Sequence, residues 1–284
     1  MALNNTGKMQ SERIRTLLRR ERPDRVPIWP FFDMTGFAAI YNNRPIADAY
    51  RDPKTSLEMQ RKVCEDFGWI CSPFFPAFDV NDFGGERRLP ESDFSQAPST
   101  IRFAIESEED IDKFTMPDIP NSPGILRETE FQRLVVEEHS DNEPFKMLLL
   151  LPSNPFGMAG RICRPEMLAR WIIKKPELVY RLIQISQDIL TEVMDYWYNL
   201  FGAEDVIVMS GGVLSSNQII SPRHFEQFVM PYIREGHERI LAKGYKHFYC
   251  HICGEHNMNM PYWQHVPMGN PGIVSIGHEV ELET

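Results

Sequence analysis

The segment KHFYCHICGEH, residues 246–256, carries the side chains best suited to chemistry. Side chains alternate faces along a strand, so residues two apart point the same way. A strand running through this segment puts His247, Tyr249, His251 and Cys253 on one face and Phe248 and Cys250 on the other. Gly254 then turns the chain out of the strand. An imidazole and a thiolate side by side are natural zinc ligands. Two other readings of the same pair stay open. One is a small buried cysteine beside a hydrogen-bonded histidine, which spacing alone favours. The other is a nucleophilic Cys–His dyad, for which no orienting third group is evident. His256 and His265 lie close by and read as solvated loop histidines.

The elements that must position this pair alternate along the chain. Apolar runs suggest strands at 25–32 (RVPIWPFF), 68–75 (GWICSPFF), 145–151, 205–209, 246–252 and 272–276. Between them, apolar residues at helical spacing predict helices at 9–20, 53–67, 107–114, 125–139, 165–173, 176–201 and 221–243. Several open on proline and close on glycine, as helix ends do. Strand–helix alternation with Ile-, Val- and Leu-rich strands makes an α/β fold with a parallel sheet. A barrel and an open doubly wound sheet both satisfy it. No G-x-G-x-x-G follows the first strand, so a dinucleotide-binding sheet has no support. In a barrel the active site lies at the C-terminal ends of the strands, where His251 and Cys253 fall.

The composition narrows the function classes. The chain has 284 residues, 42% hydrophobic and 25% charged, so a single domain over 1–284 is the expectation. A net charge of −10 argues against nucleic acid as the main ligand, because phosphate binding needs a basic face. The longest apolar run, 147–151, is far too short to span a bilayer, and the first twenty residues hold no signal-peptide core. Five cysteines (Cys64, Cys71, Cys163, Cys250 and Cys253) form no even framework and suit reduced thiols, so a cytoplasmic location is expected.

The stretch SPRHFEQFVMPYIREGHERILAKGYKHFYCHICGEH resembles the signature of the uroporphyrinogen decarboxylase superfamily. There, a Ser-Pro helix start leads to F-x-x-F-V-x-P-Y, and the next strand ends in H-x-C-G. DRVPIWPFF is similar to that family's first strand, FDVNDFGGE to its acidic loop, and LLLLPSNPFGMAG to a later strand end. These matches keep the family's order and cover nearly the whole chain. The resemblance implies a (β/α)8 TIM-type barrel, and it raises the zinc reading of His251 and Cys253 above the plain one. Six strands are legible where a complete barrel has eight, so C-terminal βα units are expected to be missing from these residues. The open strand edge this would leave makes a homodimer one expected way of covering it.

The superfamily has two chemistries. Its decarboxylases carry an arginine-rich loop after the first strand to meet the carboxylates of the substrate. Here that stretch is FFDMTGF, with Asp33 and no arginine, which disfavours a polycarboxylate. The resemblance therefore points to the branch of methyltransferases that exchange methyl groups with a corrinoid protein. In its methylcobamide:thiol members, zinc is held by His-x-Cys and a distant cysteine. His251 and Cys253 match the first two positions, and the third would fall beyond Thr284. The expected function is zinc-assisted methyl transfer between a methylcobamide-bearing partner protein and a small thiol or other small donor or acceptor. A decarboxylase acting on some other carboxylate, and a non-catalytic barrel, are the alternatives. Asp33, Asp79, Asp82 and Ser210 are the expected substrate-pocket residues, with Glu86 nearby. A solvated acidic loop is the competing reading for Asp79, Asp82 and Glu86.

Overall fold

The computed structural model describes residues 4–30, 34–92, 97–139, 143–151, 153–212 and 214–281. Helices α1 (Asn4–Leu18), α2 (Met34–Tyr41), α3 (Asp48–Arg51) and α4 (Pro53–Phe67) come first. Next are two short strands, β1 (Glu86–Arg88) and β2 (Ser99–Arg102), then helices α5 (Glu108–Lys113) and α6 (Pro123–Glu137). Strand β3 (Met147–Leu150) leads into α7 (Pro155–Ile162), α8 (Pro165–Lys174) and α9 (Pro176–Phe201). The chain continues through β4 (Val206–Gly211), α10 (Pro222–Phe228), α11 (Met230–Ala242), β5 (His247–Ile252), α12 (Met260–Trp263) and β6 (Ile273–Ile276). Two compact units result. One gathers the described residues of 1–78, 87–101 and 123–148, the other those of 79–86, 102–122 and 149–284.

The first unit is helical. Asp52 caps α4, its Oδ1 accepting from Thr55 N–H at 2.7 Å. Pro53 fills the first helical position, where no N–H is needed, and Gly68 ends the helix at φ 63°. The inward face of α4 buries Leu57, Met59, Val63 and Cys64. The strands expected at 25–32 and 68–75 do not form among the described residues, although one backbone bond joins them, from Ile70 N–H to Ile28 C=O at 3.4 Å. Pro27, Pro30 and Pro73 each remove a ladder donor, so these runs cannot sustain strand pairing. Side chains take the place of the ladder. Gln60 bonds both the N–H and the C=O of Phe74, at 3.2 and 2.9 Å. Glu128 Oε1, on α6, accepts from Ala77 N–H at 2.7 Å and Phe78 N–H at 2.8 Å.

The second unit holds the sheet that positions the site. Strand order is β3-β4-β5-β6, with β4–β5 and β5–β6 parallel, as expected for an α/β fold. Leu151 N–H donates to Met209 C=O at 3.0 Å just past the end of β3. Every residue of β4 is buried. The 26-residue helix α9 packs its Val179, Leu182, Ile183, Ile189, Leu190 and Val193 inward. The single helix expected at 221–243 is two, because Pro231 lacks the N–H that would continue the first, and the chain bends at Val229 (φ −118°, ψ −61°). The two-stranded pairing of β1 with β2 had no sequence signal strong enough to predict it. No described helix is long and apolar enough to cross a membrane.

Candidate functional site at the end of β5

β5 is an interior strand of the sheet, with β4 on one side and β6 on the other. Its register sets His251 opposite Gly211 of β4 and opposite Ser275 of β6. Gly211 is required there: a Cβ on it would lie 2.7 Å from the His251 carbonyl oxygen. The same carbonyl accepts from Gly212 N–H at 2.9 Å. On the other side, His251 Nδ1 and Ser275 Oγ are 3.0 Å apart. Tyr249 is two residues back on the same face; burial pushes its phenol pKa up, and the Ser275 side chain opposes the rise.

His251 is half-buried, and burial pushes its pKa below the ordinary imidazole value. The neutral ring is the form that binds a metal. Cys253 lies just past the strand end and is exposed. Gly254 follows with φ 85°, turning the chain as its sequence suggests; a Cβ there would come within 3.0 Å of the Ser216 side chain.

His256 is not a solvated loop residue. It is fully buried, and its Nδ1 accepts from Trp263 Nε1–H at 3.1 Å and Asn259 Nδ2–H at 3.2 Å. Two donors on Nδ1 place the ring proton on Nε2. Burial lowers the pKa of this ring, and the Cys253 carbonyl and the Glu255 charge oppose that shift. Asn259 is held in turn by Asn217 and the Ser215 carbonyl, and Asn217 N–H donates to Glu255 C=O at 2.8 Å. This network anchors the loop that carries Cys253. Its sequence signal was faint: a Trp seven residues after a His is not a motif. His265 is exposed, as expected.

The expected pocket residues have different local settings. Ser210 pairs with Cys250, so its side chain lies on the sheet face opposite His251. There it meets His237 of α11, whose ring stacks on Phe248 with centroids 3.9 Å apart. Ser210, expected in the substrate pocket, therefore lies on the helix side of the sheet, away from His251. Asp79 and Asp82 form a reciprocal cap on the short 3-10 helix Val80–Phe83. Asp79 Oδ1 accepts from Asn81 N–H and Asp82 Oδ2 from Asp79 N–H, each at 2.9 Å. Asp79 is buried and Asp82 half-buried, so neither is a freely solvated carboxylate. Glu86 is exposed. Asp33 lies outside the described residues.

Residues 9–284 match the Uroporphyrinogen decarboxylase (URO-D) family. The chain belongs to that family. Its fold is similar to that of a methyltransferase from Methanosarcina mazei, with a TM-score of 0.67 at 16% identity, over 88% of this chain and 71% of the other. No curated protein matches the chain.

The donor types at the end of β5 suit the zinc that the resemblance implies: a neutral imidazole and, two residues on, an accessible thiol. Their number is that of part of a site, since no three His, Cys, Asp or Glu side chains among the described residues are grouped to hold a metal.

Proposed function

We propose that this member of the URO-D family is a methyltransferase, moving a methyl group between a methylated corrinoid protein and a small thiol or other small acceptor or donor. The observation that carries the reading is the arrangement of His251: neutral, half-buried, at the C-terminal end of a parallel strand, with Nδ1 engaged by Ser275 and Cys253 two residues on. A ring held through one nitrogen presents the other in a fixed direction, which is how metal-binding histidines are oriented. The fold likeness to the M. mazei methyltransferase supports the same reading.

His251 and Cys253 would hold Zn²⁺ together with a donor outside the described residues. Bound there, zinc would keep a substrate thiol in its thiolate form, the nucleophilic one. The chain's own contribution is placement. Ser275 fixes the imidazole, and Gly211 and Gly254 let the backbones on either side of the motif approach closely. The His256 network sets the loop on which Cys253 rides.

The test uses the full-length protein with methylcobalamin as donor and 2-mercaptoethanol as acceptor, beside a parallel decarboxylation assay on uroporphyrinogen. Zinc at a one-to-one ratio and thiol methylation are expected, both lost in Cys253→Ala with the fold intact. Coproporphyrinogen formation, or methylation unchanged by Cys253→Ala, would overturn the proposal.

A further inference from the structure

The face of the sheet opposite His251 carries a cleft between α9 and α11. On α9, Gln187, Leu190, Thr191 and Met194 recur at helical spacing and form one stripe. Ile233, Gly236 and Ile240 do the same on α11. Both stripes line the cleft, together with Leu151 just past β3.

The accessible wall is almost wholly hydrocarbon. Leu151, Leu190, Met194, Ile233 and Ile240 are all buried and supply it. Polar neighbours are turned elsewhere. Ser210 meets His237, Asn154 Nδ2–H donates to the Gly211 carbonyl, and the Thr191 hydroxyl donates to the Gln187 carbonyl. Ser153 Oγ is enclosed and offers no surface. The cations are answered within the protein, Arg239 by Glu235 and Lys243 by Asp195, each at 2.5 Å. A polar or charged ligand group finds little here to replace its hydration, whereas a hydrocarbon group gains by leaving water.

Gly236 is an independent sign that the space is kept. It lies inside α11, where glycine is the poorest helix former after proline. A Cβ built on it would meet nothing within 4 Å, so alanine would fit and strengthen the helix. Packed helices fill each other's grooves with side chains, and at this point α11 presents none to α9. Gly236 and Tyr232 are half-buried, so the gap reaches solvent. Its volume is about 50 Å³, where a single water takes roughly 10–15 Å³ by a comparable measure. That is room for a chain of about four carbon atoms.

We propose that this cleft takes the end of an unbranched alkyl chain, about four carbons deep, whose uncharged remainder stays in solvent. The site lies on the other face of the sheet from His251 and does not depend on the methyltransferase reading.

The probe is n-butyl β-glucoside, titrated into the full chain and followed by the methyl signals of Met194 and Ile233. The ethyl, hexyl and octyl homologues are run beside it, below their micelle concentrations. Shifts should saturate at one-to-one. Affinity should rise about fourfold per methylene from ethyl to butyl and level off by hexyl. Met194→Ala deepens the cleft and should move the levelling-off towards octyl. Gly236→Leu fills it and should abolish the shifts with helix content retained. Gly236→Ala, the milder change, should weaken every chain and raise the melting temperature. Affinity that climbs unchecked through octyl would mean adsorption to the surface and sink the proposal. So would non-saturating shifts, full binding by Gly236→Leu, or tighter binding of butyrate or butylammonium than of the glucoside.

Discussion

His251 Nδ1 and Ser275 Oγ stand 3.0 Å apart because the parallel register of β5 and β6 makes the two residues neighbours. With Nδ1 as donor, Nε2 is the nitrogen presented to a metal. Ser275→Ala removes the partner and leaves the ring free to turn. Zinc affinity of the full-length protein should fall about 10–100-fold, the usual effect of losing such a partner. Stability should change by only about 1 kcal/mol, since the site is half-buried. Ser275→Thr, which keeps the hydroxyl, should restore affinity. Competition against a chromophoric chelator measures both; unchanged affinity in Ser275→Ala would mean that the bond does not orient the ligand.

The acid limb of the stability curve should carry the mark of His237. Burial pushes its pKa from 6.5 down to about 4, opposed by the bond to the Pro267 carbonyl. The folded state thus holds this proton less tightly than the unfolded chain does. The stabilisation is fully present above pH 6.5 and is lost as the pH falls towards about 4. Its slope approaches about 1.4 kcal/mol per pH unit, for a total on the order of 3 kcal/mol. His251 and His256, also lowered by burial, act in the same direction. Urea titrations at pH 7 and pH 5 should show a smaller difference for His237→Gln than for the native chain. An equal difference would mean that His237 does not titrate in this range.

Legibility followed the strength of local signals. α4 and α9 read correctly to the residue because proline opens each, and the glycine that follows closes it. β4, β5 and β6 read correctly because continuous apolar runs between long helices have few other places to go. The runs at 25–32 and 68–75 looked like strands by composition, yet their prolines deny the ladder, and Gln60 and Glu128 supply the bonds instead. At the site, strand alternation placed Tyr249 and His251 on one face. Ser210, an expected pocket residue, pairs with Cys250 and so lies on the other face, which only the register against β5 reveals. His256 was misjudged because its burial depends on Trp263 and Asn259, which only the folded loop brings to it.

Glu128 should be among the more costly residues of the first unit to truncate. One of its oxygens answers the N–H groups of both Ala77 and Phe78, in a segment without a strand partner. Glu128→Ala leaves two buried donors unanswered, a loss of about 3 kcal/mol. Glu128→Gln keeps a carbonyl oxygen and should lose about half as much. Chemical denaturation of the two variants tests the order; equal losses would place the effect in side-chain packing rather than in these bonds.

His256 offers a test that separates anchoring of the Cys253 loop from plain stability. Its Nδ1 holds the buried N–H groups of Trp263 and Asn259. His256→Ala orphans both and leaves a cavity, so a loss of about 3 kcal/mol is expected. His256→Asn places an amide oxygen near the former Nδ1 and should recover part of it. The second readout is thiol reactivity. Cys64, Cys71, Cys163 and Cys250 are buried and Cys253 alone is exposed, so the native protein should show one fast thiol towards a disulfide reagent. Burial also raises Cys163 and Cys250 to about 12, which keeps them unreactive while the fold holds. If His256 anchors the loop, the rate at Cys253 should shift in His256→Ala under conditions where Cys250 stays protected, and return towards the native rate in His256→Asn. A common rise at all five thiols would mean that the substitution only lowers global stability, and that the loop bearing Cys253 is held by Asn217 and Gly254 without it.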